Sequence, residues 1–495
     1  MQHNTVKKVV IAGGGTAGWV AAAALSKRLK GLIDVVLIES EEIGTVGVGE
    51  STVPPVQLFH NLLGINEQEF MQATDATFKL AISFENWGQQ GDHYFHPFGV
   101  TGKGSFLSDF QHYYLHGLSQ GIAAPFGDYC YELQAAKQHK FAKTEQSVIN
   151  YAYHLDAGRY ARFLRRFSED LGAVRIEGKI AQVQQHVNGD IRALVLESGQ
   201  EITGDLFIDC TGFRALLIEQ TLKTGYERWD HWLPCNKAVV VQTEPGPTVP
   251  PYTRAIAHDS GWQWKIPLQH RVGNGLVYAS DYLSDDKARQ RLLDGLEAPA
   301  IMEPRVLSYQ TGRRKKFWQK NCVAIGLSSG FIEPLESTSI HLFMSGIIRL
   351  LRLFPFNGVT PALTDEYNQQ SITEVEKIRD FIILHYHQTE RNDSPFWDYC
   401  RTMTIPDSLA HRIALFRESA HAFQTGDEMF RLESWSHVML GQRLQPQSYH
   451  QLVAGLNSGE LSRHLQQIRE TINSAVHRLP SHRDFLRQYC PSNLT

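Results

Sequence analysis

Three glycines near the N-terminus have the type and spacing that suit the binding of a pyrophosphate. The stretch "GGGTAGW" contains Gly13-x-Gly15-x-x-Gly18. Glycine permits a tight turn and lets backbone N–H groups come close to a phosphate. Glu39 follows Gly18 by 21 residues, at a distance where a carboxylate accepts hydrogen bonds from ribose hydroxyls. These residues together predict a dinucleotide site.

The elements around these glycines form the unit that such a site needs. Residues 7–13, "KKVVIAG", are a continuous apolar run that predicts a buried parallel strand. Residues 16–30 predict an alanine-rich helix, whose first residues, Thr16 and Ala17, we include in the cofactor site. Residues 34–40, "DVVLIES", predict a second buried strand, which completes a βαβ unit.

Two later stretches favour FAD over NAD as the dinucleotide. "DLFIDCTG" (205–212) predicts a strand that ends in Asp209 and a small-residue turn, and it resembles the corresponding strand of many flavoprotein monooxygenases. "GLSSGFIEP" (326–334) is a second glycine loop, beginning at Gly326, that could approach the flavin ring. We therefore assign Asp209 and Gly326 to the cofactor site.

The remaining pattern indicates an α/β protein with antiparallel insertions. Short alternating runs over 173–210 and further strands over 236–281 predict antiparallel sheet. Residues 336–354 predict a strongly apolar helix, and the chain beyond residue 363 is mainly helical in pattern. No repeat or low-complexity linker separates these parts, so we expect the modules to interleave in one compact body.

Composition excludes several classes of protein. A chain of 495 residues with 42% hydrophobic residues and a net charge of −4 gives no reason to expect a nucleic-acid or anionic-membrane partner. No run approaches the roughly 18 apolar residues of a membrane span. The six cysteines are scattered without a CxxC pair, which predicts reduced, mostly buried thiols in a cytoplasmic protein. The N-terminus enters a predicted strand at once, so we expect no signal peptide. The oligomeric state is open, with a homodimer as one expectation.

Six motifs, in order along most of the chain, resemble the flavin-dependent tryptophan halogenases. The W-x-W-x-I-P element is regarded as the signature that separates this family from its hydroxylating relatives. The last 90 or so residues match the family poorly. The motifs are "GGGTAGW", "GVGESTVP" (47–54), "ATFKLAISFENW" (76–87), "FIDCTGFRALL" (207–217), "GWQWKIP" (261–267) and "GLSSGFIEPLESTSI" (326–340).

The resemblance implies both a fold and a reaction. It implies an FAD-binding, Rossmann-like module of the flavoprotein monooxygenase type, over 1–90 and 150–355, with Gly49 in its cofactor site. It implies a mainly helical substrate module over 91–149 and 356–495. A separate flavin reductase would supply FADH2, which with O2 and chloride or bromide would yield hypohalous acid. This oxidant would cross an internal tunnel to the aromatic substrate.

Lys79 and Glu336 are the catalytic residues that the resemblance implies. Lys79 stands where the family has its essential lysine, and an ammonium or amine there would hydrogen-bond hypohalous acid or form a haloamine beside the ring. Glu336 would stabilise the arenium cation and take its proton. The alternative roles are structural: a lysine that extends along an amphipathic surface, and an acid in the first turn of a helix beginning near Pro334.

The residues after Glu336 predict a halide site. Ser337 and Thr338 stand at a helix start, where backbone N–H groups attract anions. Well-known family members have glycine at the next position, whereas this chain has Ser339. A Cβ there would reshape the pocket, so we expect bromide to be used at least as readily as chloride.

Trp262 and Trp264 alternate along one predicted strand and therefore face the same side. Tryptophans of this kind fill protein cores. In the family they also suggest a barrier between flavin and substrate that only a small oxidant passes. The two roles are compatible.

His96, Phe98 and Trp435 are the predicted substrate residues. His96 and Phe98 match a histidine and phenylalanine that stack on the indole in the tryptophan enzymes, and a metal site at His93 and His96 lacks carboxylates. The stretch 433–446, "ESWSHVMLGQRLQP", offers Trp435 but no tyrosine pair for an amino-acid tail. Unpaired buried charges are costly, so we expect an indole-type substrate without a zwitterionic tail, or a larger indole-bearing molecule.

Two other functions fit parts of the pattern. A flavin-dependent aromatic hydroxylase shares the FAD module and the "IDCTG" strand, and a non-catalytic flavin sensor would keep the cofactor site alone. Lys79, Glu336 and the W-x-W element favour the halogenase.

Overall fold

A computed structural model of the protein describes residues 5–43, 50–143, 149–426 and 428–491. Gly49, which we predict in the cofactor site, lies outside these described residues. The strands, in chain order, are β1 (Lys8–Ala12), β2 (Asp34–Glu39), β3 (Glu50–Ser51), β4 (Thr77–Lys79), β5 (Ala81–Glu85), β6 (His93–Pro97), β7 (Ala152–Leu155), β8 (Val174–Glu177), β9 (Ile180–Gln185), β10 (Ile191–Leu196), β11 (Glu201–Thr203), β12 (Leu206–Asp209), β13 (Tyr226–Arg228), β14 (Lys237–Thr243), β15 (Tyr252–His258), β16 (Gly261–Pro267), β17 (Val272–Tyr278), β18 (Arg305–Ser308), β19 (Gly312–Arg314), β20 (Trp318–Gln319), β21 (Cys322–Ala324) and β22 (Gly330–Phe331).

Helices account for much of the remaining chain. The α-helices are α1 (Thr16–Arg28), α2 (Pro55–Leu63), α3 (Glu67–Thr74), α4 (Phe110–Ser119), α5 (Tyr131–Lys137), α6 (Ala157–Asp170), α7 (Asp285–Asp294), α8 (Ser339–Arg352), α9 (Pro361–His387), α10 (Pro395–Thr402), α11 (Asp407–Ser419), α12 (Leu432–Gly441), α13 (Ser458–His477) and α14 (His482–Tyr489).

The chain divides into two compact units at residues other than the predicted module boundaries. The first unit comprises Met1–Ala76, Leu155–Asp230 and Tyr309–Glu376, and the second comprises Thr77–His154, His231–Ser308 and Lys377–Thr495. Residues 231–308 thus fold with the second unit, because their strands form its main sheet. The predicted boundaries of the FAD-binding and substrate modules stay a prediction, and so does their packing as one compact body.

A mainly parallel sheet, with β20 antiparallel at one edge, forms the centre of the first unit. Its strand order is β20-β21-β12-β1-β2-β8, and β1 pairs in parallel with both β2 and β12. The side chains of β1 from Val9 to Ala12 have no exposed surface, as expected for a strand covered on both faces. The predicted βαβ unit and the Rossmann-like α/β fold are confirmed.

Helix α8 begins later than the sequence pattern predicts. Residues Pro334–Glu336 form a separate 3₁₀ turn, and Ser337 adopts a left-handed conformation with φ of 61°. A left-handed residue cannot continue a right-handed helix, so α8 starts at Ser339. Glu336 therefore lies in the first turn of the 3₁₀ helix that begins at Pro334, and it is not part of α8.

The second unit contains a large sheet as well as helices. Its strand order is β18-β14-β17-β16-β15-β5-β6, with β15 parallel to β5 and antiparallel to β16. The short strand β4, which carries Lys79, pairs antiparallel with β7. The unit that contains the predicted substrate residues is therefore built on a sheet, and the helical pattern beyond residue 363 describes only part of it.

The structure tests some of the predictions about the cysteines and the cellular environment. Five of the six cysteines are buried and Cys210 is half-buried, so the prediction of mostly buried thiols is confirmed. Among the described residues, no helix has both the length and the apolar character to cross a membrane. The cytoplasmic location and the homodimer stay predictions.

Candidate functional site

The glycine turn after β1 has no room for side chains at two of its three signature positions. Gly13 has φ of 108°, and a Cβ on it would collide with the carbonyl of Cys210. A Cβ on Gly18 would collide with the carbonyl of Gly13, so this glycine lets the helix pack closely on the strand. Gly15 differs, because a Cβ on it would meet no atom within 4 Å. The space in front of Gly15 is the space that a pyrophosphate would need.

The start of α1 provides hydrogen-bond donors to that space. Gly15 is the N-cap residue, it offers no side-chain cap, and the first turn holds no acidic residue. The first N–H groups of a helix have no partner within it, so these groups and the helix dipole favour an anion here. The Thr16 hydroxyl donates to the Ala157 carbonyl at 3.4 Å, and this contact ties the turn to α6.

Glu39 lies at the end of β2, beside the turn. A Cβ on Gly14 would collide with its carboxylate. Glu39 accepts hydrogen bonds from the Arg175 guanidinium and, at 3.3 Å, from the indole nitrogen of Trp19. These contacts hold the carboxylate at the strand end, where a ribose would come, and its contact with a ribose stays a prediction.

Asp209 is engaged by the protein on both carboxylate oxygens. Oδ1 accepts from the backbone N–H of Thr211 at 2.9 Å and from its hydroxyl at 2.7 Å. Oδ2 accepts from the N–H groups of Leu217 and Ile218 at 2.9 and 2.8 Å. Burial raises the pKa of Asp209 despite these bonds. The carboxylate thus fixes the loop that follows β12, and a direct contact with the cofactor stays a prediction.

Three loops meet at one edge of the parallel sheet. Gly13 follows β1, Cys210 follows the neighbouring β12, and Gly326 follows β21. The Ile325 N–H donates to the Asp209 carbonyl at 3.0 Å, which joins the second loop to the third. Ligands of open α/β sheets bind at this carboxyl edge, so the predicted cofactor residues that the structure describes in this unit have the expected placement.

The predicted halide residues lie at the start of α8. Glu336, Ser337 and Thr338 are buried and Ser339 is half-buried. Thr338 is the N-cap residue of α8. Among the residues that the structure describes, no group hydrogen-bonds the buried Thr338 hydroxyl. A buried hydroxyl at a helix N-terminus is a suitable donor for an anion.

Lys79, in the second unit, is fully buried. Its Nζ lies 4.9 Å from the centroid of the Phe98 ring, within cation–π range. The Phe98 ring lies 6.3 Å from the His96 ring, edge to face. The structure therefore brings together Lys79 and two of the three predicted substrate residues, and the interpretation of Lys79 as a surface lysine is wrong.

The third predicted substrate residue belongs to the same aromatic cluster. Trp435 contacts Phe381 edge to face at 4.9 Å, and Phe381 lies 5.5 Å from His96. Phe430 stacks on Phe381 at 3.8 Å, and the Arg412 guanidinium lies 4.5 Å from the Trp435 ring. The sequence does not reveal Phe381, Phe430 and Arg412. Phe381 and Arg412 have the spacing of ordinary helices, and Phe430 is a single apolar residue in the segment before α12.

Trp262 and Trp264 face the same side of β16, as predicted. Their ring centroids are 6.0 Å apart, and Trp262 lies 6.3 Å from Trp87. Trp264 pairs with Gly275, where a Cβ would collide with the indole. The absence of a side chain at Gly275 makes room for the ring. Both tryptophans are buried, so they fill the core of this unit, and the barrier role stays a prediction.

Comparison with known proteins decides the family. A sequence model described as tryptophan halogenase matches residues 8–458. The chain belongs to the tryptophan halogenase family. It is 37% identical to tryptophan 6-halogenase SttH of Streptomyces toxytricini over 83% of this chain and 84% of that protein.

Solved structures of the halogenase family agree with this assignment. A flavin-dependent halogenase from Xanthomonas campestris matches with a TM-score of 0.98 and 52% identity, over 99% of this chain and 100% of that one. BrvH, a flavin-dependent halogenase from Brevundimonas sp. BAL3, matches with a TM-score of 0.94 and 42% identity, over 98% and 99%. The chain is therefore an enzyme, a flavin-dependent halogenase.

Proposed function

We propose that this halogenase uses FADH2, O2 and a halide to halogenate an indole-type aromatic, with Lys79 placing the halogen. The observation that carries the proposal is the burial of the Lys79 ammonium against Phe98, in a cluster of aromatic rings. When bound, reduced FAD with O2 supplies the oxidising equivalents that turn halide into hypohalous acid. A separate flavin reductase would deliver the FADH2.

Residues of the first unit would hold the cofactor. The space at Gly15 and the donors at the start of α1 fit a pyrophosphate. Gly13 and Gly18 shape the turn, and Glu39 would accept from the ribose. The fit rests on the chain's own geometry, since side chains are excluded at Gly13 and Gly18 but not at Gly15.

Lys79 would act on the small oxidant in the second unit. Hypohalous acid is a weak electrophile in water, and a buried ammonium that hydrogen-bonds its oxygen polarises the oxygen–halogen bond. The ring carbon then takes the halogen, the oxygen leaves as water, and the ring loses a proton. Passage of the oxidant through the interior, with Trp262 and Trp264 as the barrier, is part of the proposal.

Glu336 and the residues after it complete the proposed roles. The family resemblance implies that the Glu336 carboxylate accepts the proton that the arenium cation loses. Ser337, Thr338 and Ser339 would bind the halide, supported by the buried Thr338 hydroxyl at the N-terminus of α8. We keep bromide as a substrate at least as good as chloride, because Ser339 carries a side chain where well-known members have glycine.

The proposed substrate is an indole without a charged amino-acid tail. Phe381 and Phe430 add apolar rings next to His96, and Arg412 near Trp435 is already paired with Glu428. A free zwitterion would find few partners in such surroundings, and burying it unpaired is costly.

One assay tests the proposal. The protein is supplied with FAD, a generic flavin reductase, bromide, and either indole or L-tryptophan. We expect a brominated product, recognised by its isotope doublet, and faster turnover of indole. Faster turnover of tryptophan would contradict the substrate class. A halide-independent hydroxylated product would indicate the hydroxylase, and bound FAD without any halide-dependent product would indicate the sensor.

A further inference from the structure

The strand that carries Lys79 is held by two histidines from distant parts of the chain. Strand β4 contains only Thr77, Phe78 and Lys79. His154 contacts the Thr77 hydroxyl, and His482 contacts the Phe78 backbone. All three strand residues and both histidines are buried.

The hydrogen bonds of Thr77 fix the protonation of His154. The Thr77 hydroxyl donates its single proton to the Pro267 carbonyl at 2.7 Å, because a carbonyl can only accept. His154 Nδ1, 3.0 Å from the same hydroxyl, must therefore be the donor. Nε2 then accepts from the Thr253 hydroxyl at 2.9 Å. Burial and the nearby Lys79 lower the pKa of His154 well below its usual value, which keeps this neutral tautomer.

His482 is fixed by the same logic. Its Nδ1 lies 2.7 Å from the Val249 carbonyl, so Nδ1 carries the proton and donates it. Nε2 accepts from the Phe78 N–H at 3.2 Å. A protonated His482 could not accept this bond, and burial lowers its pKa to about 4. The neutral ring therefore holds the Phe78 N–H in place.

These bonds connect Lys79 to two other regions. Pro267 is the last residue of β16, the strand of Trp262 and Trp264, so the Thr77 hydroxyl ties the lysine strand to the tryptophan strand. His482 is the first residue of α14 and lies beyond residue 458, where the family match ends. The C-terminal helix thus contributes a bond to β4 that the family match does not include.

We infer that His154 and His482 are positioning residues, which hold the backbone of β4 so that the Lys79 ammonium meets the oxidant and the ring. The inference rests on the role proposed for Lys79. Short strands fray easily because few ladder bonds hold them, and a shift of about 1 Å in a reacting group lowers a rate by as much as a hundredfold. A displaced Lys79 would leave hypohalous acid unused.

The test compares His482→Ala and His482→Gln with wild type. Glutamine can accept from Phe78 and donate to Val249, whereas alanine can do neither. His477→Ala is the matched control, because His477 is an exposed histidine at the end of the preceding helix. The readouts are brominated indole, free hypobromite captured by a trap, and hydrogen exchange of the Phe78 amide.

In His482→Ala we expect the ratio of product to trapped oxidant to fall about tenfold, with total oxidant unchanged. Exchange at Phe78 should accelerate about tenfold, the effect of one lost hydrogen bond. In His482→Gln, the product-to-oxidant ratio and the exchange rate at Phe78 should both return most of the way to wild type. An unchanged ratio, or unchanged exchange at Phe78, would overturn the inference. If wild type makes no brominated indole, the proposed function fails, and the exchange rate alone decides whether His482 holds β4.

Discussion

The Thr338 hydroxyl is buried and has no hydrogen-bond partner among the described residues. Such a group costs about 1–3 kcal/mol unless something else binds it. Its place at the N-terminus of α8 adds the helix dipole. The two features together favour an anion, which we propose to be the halide.

Replacing Thr338 with valine should therefore weaken halide binding. The side chain keeps its shape and loses its donor, so the bromide concentration for half-maximal rate should rise about tenfold. Thr338→Ser, which keeps the hydroxyl, is the control and should stay close to wild type. Rates measured over a bromide titration check this. Equal half-saturation in the valine variant would remove Thr338 from the halide site.

Single residues also show where sequence reasoning succeeds and fails. Lys79 stands in a recognisable motif, so its burial could be expected. Phe381 and Phe430 lie more than 300 residues further along the chain. They join the same cluster only through tertiary packing: Phe381 has the local pattern of any helix core, and Phe430 lies in the non-helical segment before α12. The sequence does not predict the place of Arg412 in this cluster either, since an arginine on a helix usually faces solvent.

At the level of elements, the glycine turn separates a structural role from a binding role. Gly18→Ala places a Cβ against the Gly13 carbonyl, so it should lower the melting temperature. Gly15→Ala meets no protein atom within 4 Å, so it should fold normally and lose FAD affinity by about tenfold or more, because the Cβ enters the phosphate space. Thermal unfolding without FAD and an FAD titration check the pair. Normal FAD affinity in Gly15→Ala would contradict the assigned site.

The start of α8 shows what local pattern cannot give. Apolar spacing over 336–354 predicts the helix well, yet the structure begins it at Ser339. The preceding turn ends at the left-handed Ser337. Serine is not a residue type that indicates a left-handed conformation, so the sequence does not predict this break. Tertiary contacts must impose this conformation, since it costs about 1–2 kcal/mol locally.

Across the whole molecule, buried neutral histidines recur. Burial is the main cause in each case. It lowers the pKa of His60 and His437 to about 3, and that of His112 and His482 to about 4. His154 is also lowered. In the unfolded chain each of these histidines has a pKa near 6.5. In the folded chain each stays neutral until the pH is much lower. Glu50 acts in the opposite sense, since burial raises its pKa to about 7.

The protein should therefore lose stability as pH falls from about 6.5 towards 4. Each of these histidines takes up a proton more readily in the unfolded chain, so protonation favours unfolding in this window. The five together outweigh Glu50, Glu132 and Asp209, whose raised pKa acts in the opposite sense. The contribution is complete above pH 6.5. Melting temperatures at pH 7.5, 6.5, 5.5 and 4.5 check the trend, and His482→Gln should flatten it. A melting temperature that is constant over this range would contradict the account.

The division of the whole chain was the hardest feature to predict. The βαβ start and the parallel sheet follow from continuous apolar runs and glycines. The second unit combines segments from three stretches of sequence, and its sheet joins β5 and β6 to strands that begin 140 or more residues later. Strand patterns identify such segments, but they do not specify which sheet a segment joins.

The most direct test of the central claim is the bromination of indole by Lys79→Met. Methionine keeps the apolar length of the side chain and removes the ammonium. Lys137→Met is the matched control, because Lys137 is exposed and its Nζ lies 5.9 Å from the Phe95 ring. We predict that Lys79→Met loses brominated indole by about a thousandfold or more, while FAD binding and trapped hypobromite match wild type and Lys137→Met keeps full activity. Bromination by Lys79→Met at close to the wild-type rate would contradict the account.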